Sequence, residues 1–130
     1  MSLTDEQMAT YRASAQRRQQ HKHDRLRQRQ RLGMTVAYQA RDLLEQSFRV
    51  ERVVLFGSMR FACENPDVAL AHIHERSDVD LAVWGLKPQD YFRAVGQLLA
   101  LHPNMAVDLV EIETAPPRLR CVIESTGVSL

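Results

Sequence analysis

Three short apolar runs constrain this chain more than any other feature: Val53-Val54-Leu55-Phe56, Val79 to Trp84, and Ala106 to about Ile112. Each has strand length and each is bounded by a polar or turn-forming group, so each reads as a buried strand. The segments between them change period. Thr35 is placed to cap a helix whose Val36, Ala40, Leu43, Leu44 and Phe48 share one face. Pro88 opens a second helix with Phe92, Val95, Leu98 and Leu99 as its buried positions, and His102-Pro103-Asn104 stops it. Pro116-Pro117 opens a last helix on Leu119, Val122 and Ile123, which Gly127 closes, and Val128-Ser129-Leu130 adds an edge strand. Residues 64–77 lack a clean period and read as a loop with one helical turn. Strands alternating with helices predict an α/β (α+β) architecture in which helices cover a mixed sheet.

At 130 residues the chain has room for one core, and its 45% hydrophobic content excludes collagen-like, low-complexity and wholly disordered classes. No apolar run approaches the roughly 20 residues needed to cross a bilayer, and the N-terminus lacks the apolar core of a signal peptide. Cys63 and Cys121 are too few for a disulfide framework or a zinc site and read as small buried hydrophobes. A cytoplasmic location without membrane contact is the expectation.

The net charge of +1 hides a division. Residues 12–31 carry eight basic side chains (Arg12, Arg17, Arg18, Lys22, Arg25, Arg27, Arg29, Arg31) against Asp24 alone, a local charge of +7, while residues 34–130 carry −4. Residues 1–33 therefore read as a basic helical arm, begun by a Thr4/Gln7 capping box and stopped by Gly33, ahead of a domain spanning 34–130. Its apolar residues, Met8, Tyr11, Ala15 and Leu26, are too sparse for a continuous stripe. The arm is then a solvated or partner-stabilised polar helix, with weak nucleic-acid contact as the competing reading. Interleaved aromatics for base stacking are missing from it.

The chemistry concentrates at the strand ends. Gly57-Ser58 follows the first strand, Asp78-Val79-Asp80 opens the second, and Asp108 stands inside the apolar third. Side chains two apart on a strand share a face, which puts Asp78 and Asp80 together with Cα atoms roughly 6.6 Å apart. Two unpaired carboxylates about 4 Å apart repel by some 4 kcal/mol at an effective dielectric of 20, and a divalent cation reverses that sign. Asp108 in its apolar run is costly to ionise without such a partner. Oxygen ligands without His or Cys in the motif favour Mg²⁺ over zinc. His72 and His74 have no carboxylate scaffold around them and read as ordinary loop residues, and Trp84 reads as packing.

Leu55-Phe56-Gly57-Ser58, then Ser77-Asp78-Val79-Asp80-Leu81-Ala82-Val83, then Val107-Asp108-Leu109-Val110, resemble the polymerase-β-type nucleotidyltransferase superfamily, and within it the minimal nucleotidyltransferase domains. The ending, from Arg118-Leu119-Arg120 through Ile123-Glu124 to Gly127-Val128, is similar to the closing helix and strand of that group. The resemblance covers about residues 35–130 and implies a mixed-sheet nucleotidyltransferase fold, to which the N-terminal basic helix is an addition. It further implies that Gly57 and Ser58 contact the triphosphate of ATP, that Asp78 and Asp80 bind magnesium, and that Asp108 completes a metal site and helps activate the attacking hydroxyl. Nineteen residues, Met59 to Ser77, separate Ser58 from Asp78, a longer spacer than that pattern has, and the extra residues are expected to bulge outward.

The resemblance implies transfer of AMP from Mg·ATP to a hydroxyl. Small members of this group commonly act as antitoxins that adenylylate a tyrosine of a HEPN-type ribonuclease, which makes a HEPN-type toxin protein the first expected partner. A catalytically weak or contact-only regulatory module and a free-standing small-molecule nucleotidyltransferase are the alternatives. Homo- and hetero-oligomers are both compatible with the sequence.

Overall fold

A computed structural model describes residues 2–63 and 65–130. The chain opens with one continuous helix, α1 (Asp5–Phe48), of 44 residues. Thr4 caps it as expected: Thr4 Oγ1 accepts from the Gln7 amide at 3.1 Å, and Gln7 Oε1 accepts from the Thr4 amide at 2.9 Å. Neither the stop at Gly33 nor a second cap at Thr35 is present; both residues lie inside α1. Gly33 is instead part of the buried stripe, with Val36, Ala37, Ala40, Leu44 and Phe48. A Cβ added at Gly33 would overlap Met59 Cε and stand 2.7 Å from its Sδ. The missing side chain thus serves close packing, which offsets the roughly 1 kcal/mol that an interior glycine costs a helix. The helix ends only at Arg49, whose φ of +53° is left-handed.

The sheet has four strands, β1 (Arg52–Phe56), β2 (Val79–Trp84), β3 (Val107–Glu111) and β4 (Val128–Ser129), in the order β3-β2-β1-β4. β1 pairs antiparallel with β2 and β4, whereas β2 and β3 run parallel. A parallel pair needs a crossover, supplied by a 3₁₀ turn (Pro88–Asp90) and α3 (Tyr91–Leu99). Alternation along the strands sends Val53, Leu55, Val79, Leu81, Val83, Val107 and Leu109 into the core beneath α1 and α3. The opposite face holds a smaller cluster of Val54, Ala82, Ile112 and Ile123 under α4 (Pro117–Thr126). The mixed, helix-covered sheet is the expected architecture. Among the described residues no helix is long and apolar enough to cross a membrane.

Several burial expectations fail, on α3 and α4 because a short helix offers its neighbour a narrower stripe than its apolar residues suggest. On α3 the buried positions are Ala94 and Leu98, with Tyr91 and Val95 partly covered, while Phe92 and Leu99 are 85% and 50% exposed. On α4, Ile123 is buried and Val122 exposed. Cys63 and Cys121 are exposed rather than buried.

The long spacer is also not an outward bulge. Residues Ser58–Cys63 form a 3₁₀ turn and Pro66–Ala69 a short helix, α2, while Glu64 lies outside the described residues. Met59, Ala69 and Ile73 join the main core, and the rings of Phe61 and His72 stack at 3.8 Å, so His72 has an ordinary packing role. This segment lies against α1, where Arg25 pairs with Glu75 at 2.9 Å and Arg27 with Asp67 at 3.0 Å.

If Gly33 is a packing residue rather than a helix stop, Gly33→Leu should destabilise the fold by about 1–3 kcal/mol in denaturant titration. Combined with Met59→Ala, it should cost less than the two single changes added together.

Candidate functional site

The parallel register of β2 and β3 pairs Val79 with Val107, Asp80 with Asp108, and Leu81 with Leu109. Asp80 and Asp108 are therefore neighbours across one ladder, on the face opposite the main core, with strands about 4.8 Å apart. α4 packs an apolar cluster on that face, reaching Phe56 as well as Ala82, Trp84 and Val110. Beside it Asp80 is half-buried and Asp108 exposed.

Phe56 is the register partner of Asp80 on β1, and Gly57 follows it with φ +72°. A Cβ on Gly57 would overlap Asp80 Oδ2 and stand 3.1 Å from its carboxyl carbon. Glycine is required here twice, for the left-handed turn and for the carboxylate lying against it. Ser58 begins the 3₁₀ turn, half-buried, with its hydroxyl unused in any hydrogen bond among the described residues. The structure thus brings Gly57, Ser58, Asp80 and Asp108 to one end of the sheet.

Asp80 is pushed up to about 6, first by burial, then by the charge of Asp108 and the hydrogen bond the two carboxyls form when one is protonated, and last by Asp78. Asp108 carries no comparable burial. β3 is an edge strand, and Asp108 is exposed despite its apolar neighbours in sequence. The desolvation cost expected at Asp108 falls on Asp80 instead.

Asp78 differs from both. It precedes the first paired residue of β2, and its Oδ1 accepts from Arg29 Nη2 at 3.2 Å. The basic arm is therefore not separate from this region: one of its arginines reaches Asp78. No feature of the arm's own pattern marks Arg29 among its neighbours. Tyr91 was a second residue that patterning missed; its hydroxyl donates to the Leu109 carbonyl at 3.0 Å and ties α3 to the edge strand next to Asp108. Trp84 lies at the covered end of β2 with the Arg52 guanidinium over its ring at 4.7 Å, a packing role as expected.

Among the described residues, no group of three His, Cys, Asp or Glu side chains forms a preassembled metal cage. Two adjacent carboxylates, neither of them in an ion pair among the described residues, suit magnesium all the same. That ion is usually held by one or two carboxylates, with water and substrate phosphates completing its shell. The donor set is all oxygen, and Gly57 leaves Asp80 Oδ2 uncovered by side-chain atoms on its own side.

This arrangement of a glycine turn, paired strand carboxylates and a mixed sheet defines a nucleotidyltransferase domain. A family model described as "Polymerase beta, Nucleotidyltransferase" matches residues 39–130, and the chain belongs to that family. Its activity is accordingly of the nucleotidyltransferase type. No curated protein matches the chain.

The crowding of Asp80 has a signed consequence for stability. Its carboxyl titrates near about 4 in an unfolded chain and near about 6 in the fold. A carboxyl raised by folding favours the folded state while protonated, and this contribution is present below about pH 4 and lost as pH rises through about 6. Metal-free wild type should therefore lose melting temperature relative to Asp80→Asn between pH 4 and 7 in thermal denaturation, with the mutant at or above wild type at neutral pH. Gly57→Ala should cost about 1–3 kcal/mol from the left-handed φ alone, measured by denaturant titration.

Proposed function

We propose that the protein transfers AMP from ATP to a hydroxyl of a macromolecular acceptor, in the manner of a minimal nucleotidyltransferase. The observation that carries this reading is the in-register Asp80–Asp108 pair with Gly57 against Asp80. Magnesium held by Asp78, Asp80 and Asp108 would supply the positive charge that orients and neutralises the phosphates. Gly57 lets the backbone approach the triphosphate, and the Ser58 hydroxyl donates a hydrogen bond to a phosphate oxygen. The acceptor oxygen forms a bond to the α-phosphorus as the α–β phosphoanhydride bond breaks. Pyrophosphate leaves, and the hydroxyl proton passes to the exposed Asp108 carboxylate and on to water.

Two features support a large acceptor over a small one. Asp108 is exposed on an edge strand, so the carboxylate pair can be approached from outside the sheet. In addition, the first turns of α1 extend past the body, with residues 5–12 and 16–22 exposed. Unpacked helix of this kind is marginal in water and gains most from a partner. A tyrosine of a HEPN-type toxin is the acceptor class we assign on these grounds together with the family resemblance, which makes the protein an antitoxin.

Co-expression with such a toxin should add the mass of one or more AMP groups to the toxin with wild type, and none with Asp80→Asn. Purified protein should likewise transfer label from α-labelled ATP to the partner, lose that transfer on chelation of magnesium, and lose it in Asp80→Asn without loss of melting temperature. Neutralisation of the toxin with no mass change, by wild type and mutant alike, would mean a contact-only antitoxin.

A further inference from the structure

Of the arm's cations, Arg29 stands apart in what it touches. Its side chain is only 16% exposed. Nε donates to the Ser77 carbonyl at 2.9 Å, Nη1 donates to the Asn104 carbonyl, and Nη2 donates to Asp78 Oδ1 at 3.2 Å. Ser77 leads into Asp78 and β2, and Asn104 leads into β3, which begins at Val107. One planar guanidinium therefore spans the two segments that feed the aspartate-bearing strands, and its third bond goes to an aspartate. The neighbouring pairs are different in kind. Arg25–Glu75 and Arg27–Asp67 join side chains that are 45–81% exposed, and pairs of that sort contribute little.

Arg29 also lies outside residues 39–130, the part that matches the family. The nucleotidyltransferase site of this chain thus draws on a residue that the family motif does not supply.

We infer that Arg29 is a positioning residue for that site: it holds Asp78 by one carboxylate oxygen, leaves the other oxygen for magnesium, and keeps the openings of β2 and β3 in register. A rigid three-way fork suits this task, whereas a lysine ammonium, a point charge on a flexible stem, reaches only part of it. Partners of a ligating carboxylate in other metal sites are worth about 10–100-fold in affinity. The inference rests on the Mg·ATP reading proposed above.

The test uses full-length wild type, Arg29→Met, Arg29→Lys and, as a control for α1 docking, Arg27→Met. Two quantities are read: the calorimetric affinity for Mg·ATP, and the magnesium concentration giving half-maximal thermal stabilisation in the presence of ATP. Arg29→Met should weaken Mg·ATP binding by about 10–100-fold and raise the magnesium requirement. Arg29→Lys should fall between it and wild type, and Arg27→Met should bind like wild type. If Arg29→Met fails to fold, Arg29→Lys decides: a folded protein with weaker binding and a higher magnesium requirement supports the inference. Wild-type binding by either Arg29 variant overturns it, as does an equal loss in Arg27→Met. A folded wild type that binds no Mg·ATP overturns the functional reading and this inference with it.

Discussion

The parallel register between β2 and β3 is the constraint from which the aspartate-bearing end of this molecule follows. Pairing Asp80 with Asp108 places two carboxylates side by side on one sheet face. The parallel direction demands a crossover, so α3 must pack over the sheet, and Tyr91 then fastens it to the edge strand. The face opposite α1 and α3 is left to α4 and its smaller apolar cluster, with Asp108 exposed on the edge strand. The two carboxylates crowd each other there, with Asp80 the more buried of the pair. Gly57 completes the arrangement, since any side chain there would displace Asp80.

Charge is distributed through the fold with more purpose than the net value suggests. The basic helix and the acidic body meet in Arg25–Glu75, Arg27–Asp67 and Arg29–Asp78. The spacer between Ser58 and Asp78 supplies two of those carboxylates and also packs Met59 beneath Gly33. Long helix and long spacer are therefore matched parts: each covers surface that the other would leave exposed. Arg12, Arg18, Lys22 and Arg31 take no part in the ion pairs seen among the described residues.

Helix lengths and helix faces are the features least legible in the sequence. Gly33 has the composition of a stop, and a stop is the usual local meaning of glycine after a polar helix. Its actual role depends on Met59, twenty-six positions later, and nothing local reports that. Phe92 and Leu99 fit the apolar period of α3, but the sheet is wide enough to cover only one side of that helix. Asp108 reads as buried from its neighbours Val107 and Leu109, yet those residues face the other side of an edge strand.

The sequence by itself determined the strands, the glycine turn and the identities of the aspartates. These are local facts: a period of two, a residue without Cβ, and carboxylates at strand ends. Only the tertiary structure decided which aspartates pair, which one bears the desolvation, and that Arg29 reaches Asp78 across 49 positions of chain. Such contacts depend on strand register and on where a long helix crosses the sheet. Both are set by the packing of the whole core, and no short window of sequence contains them.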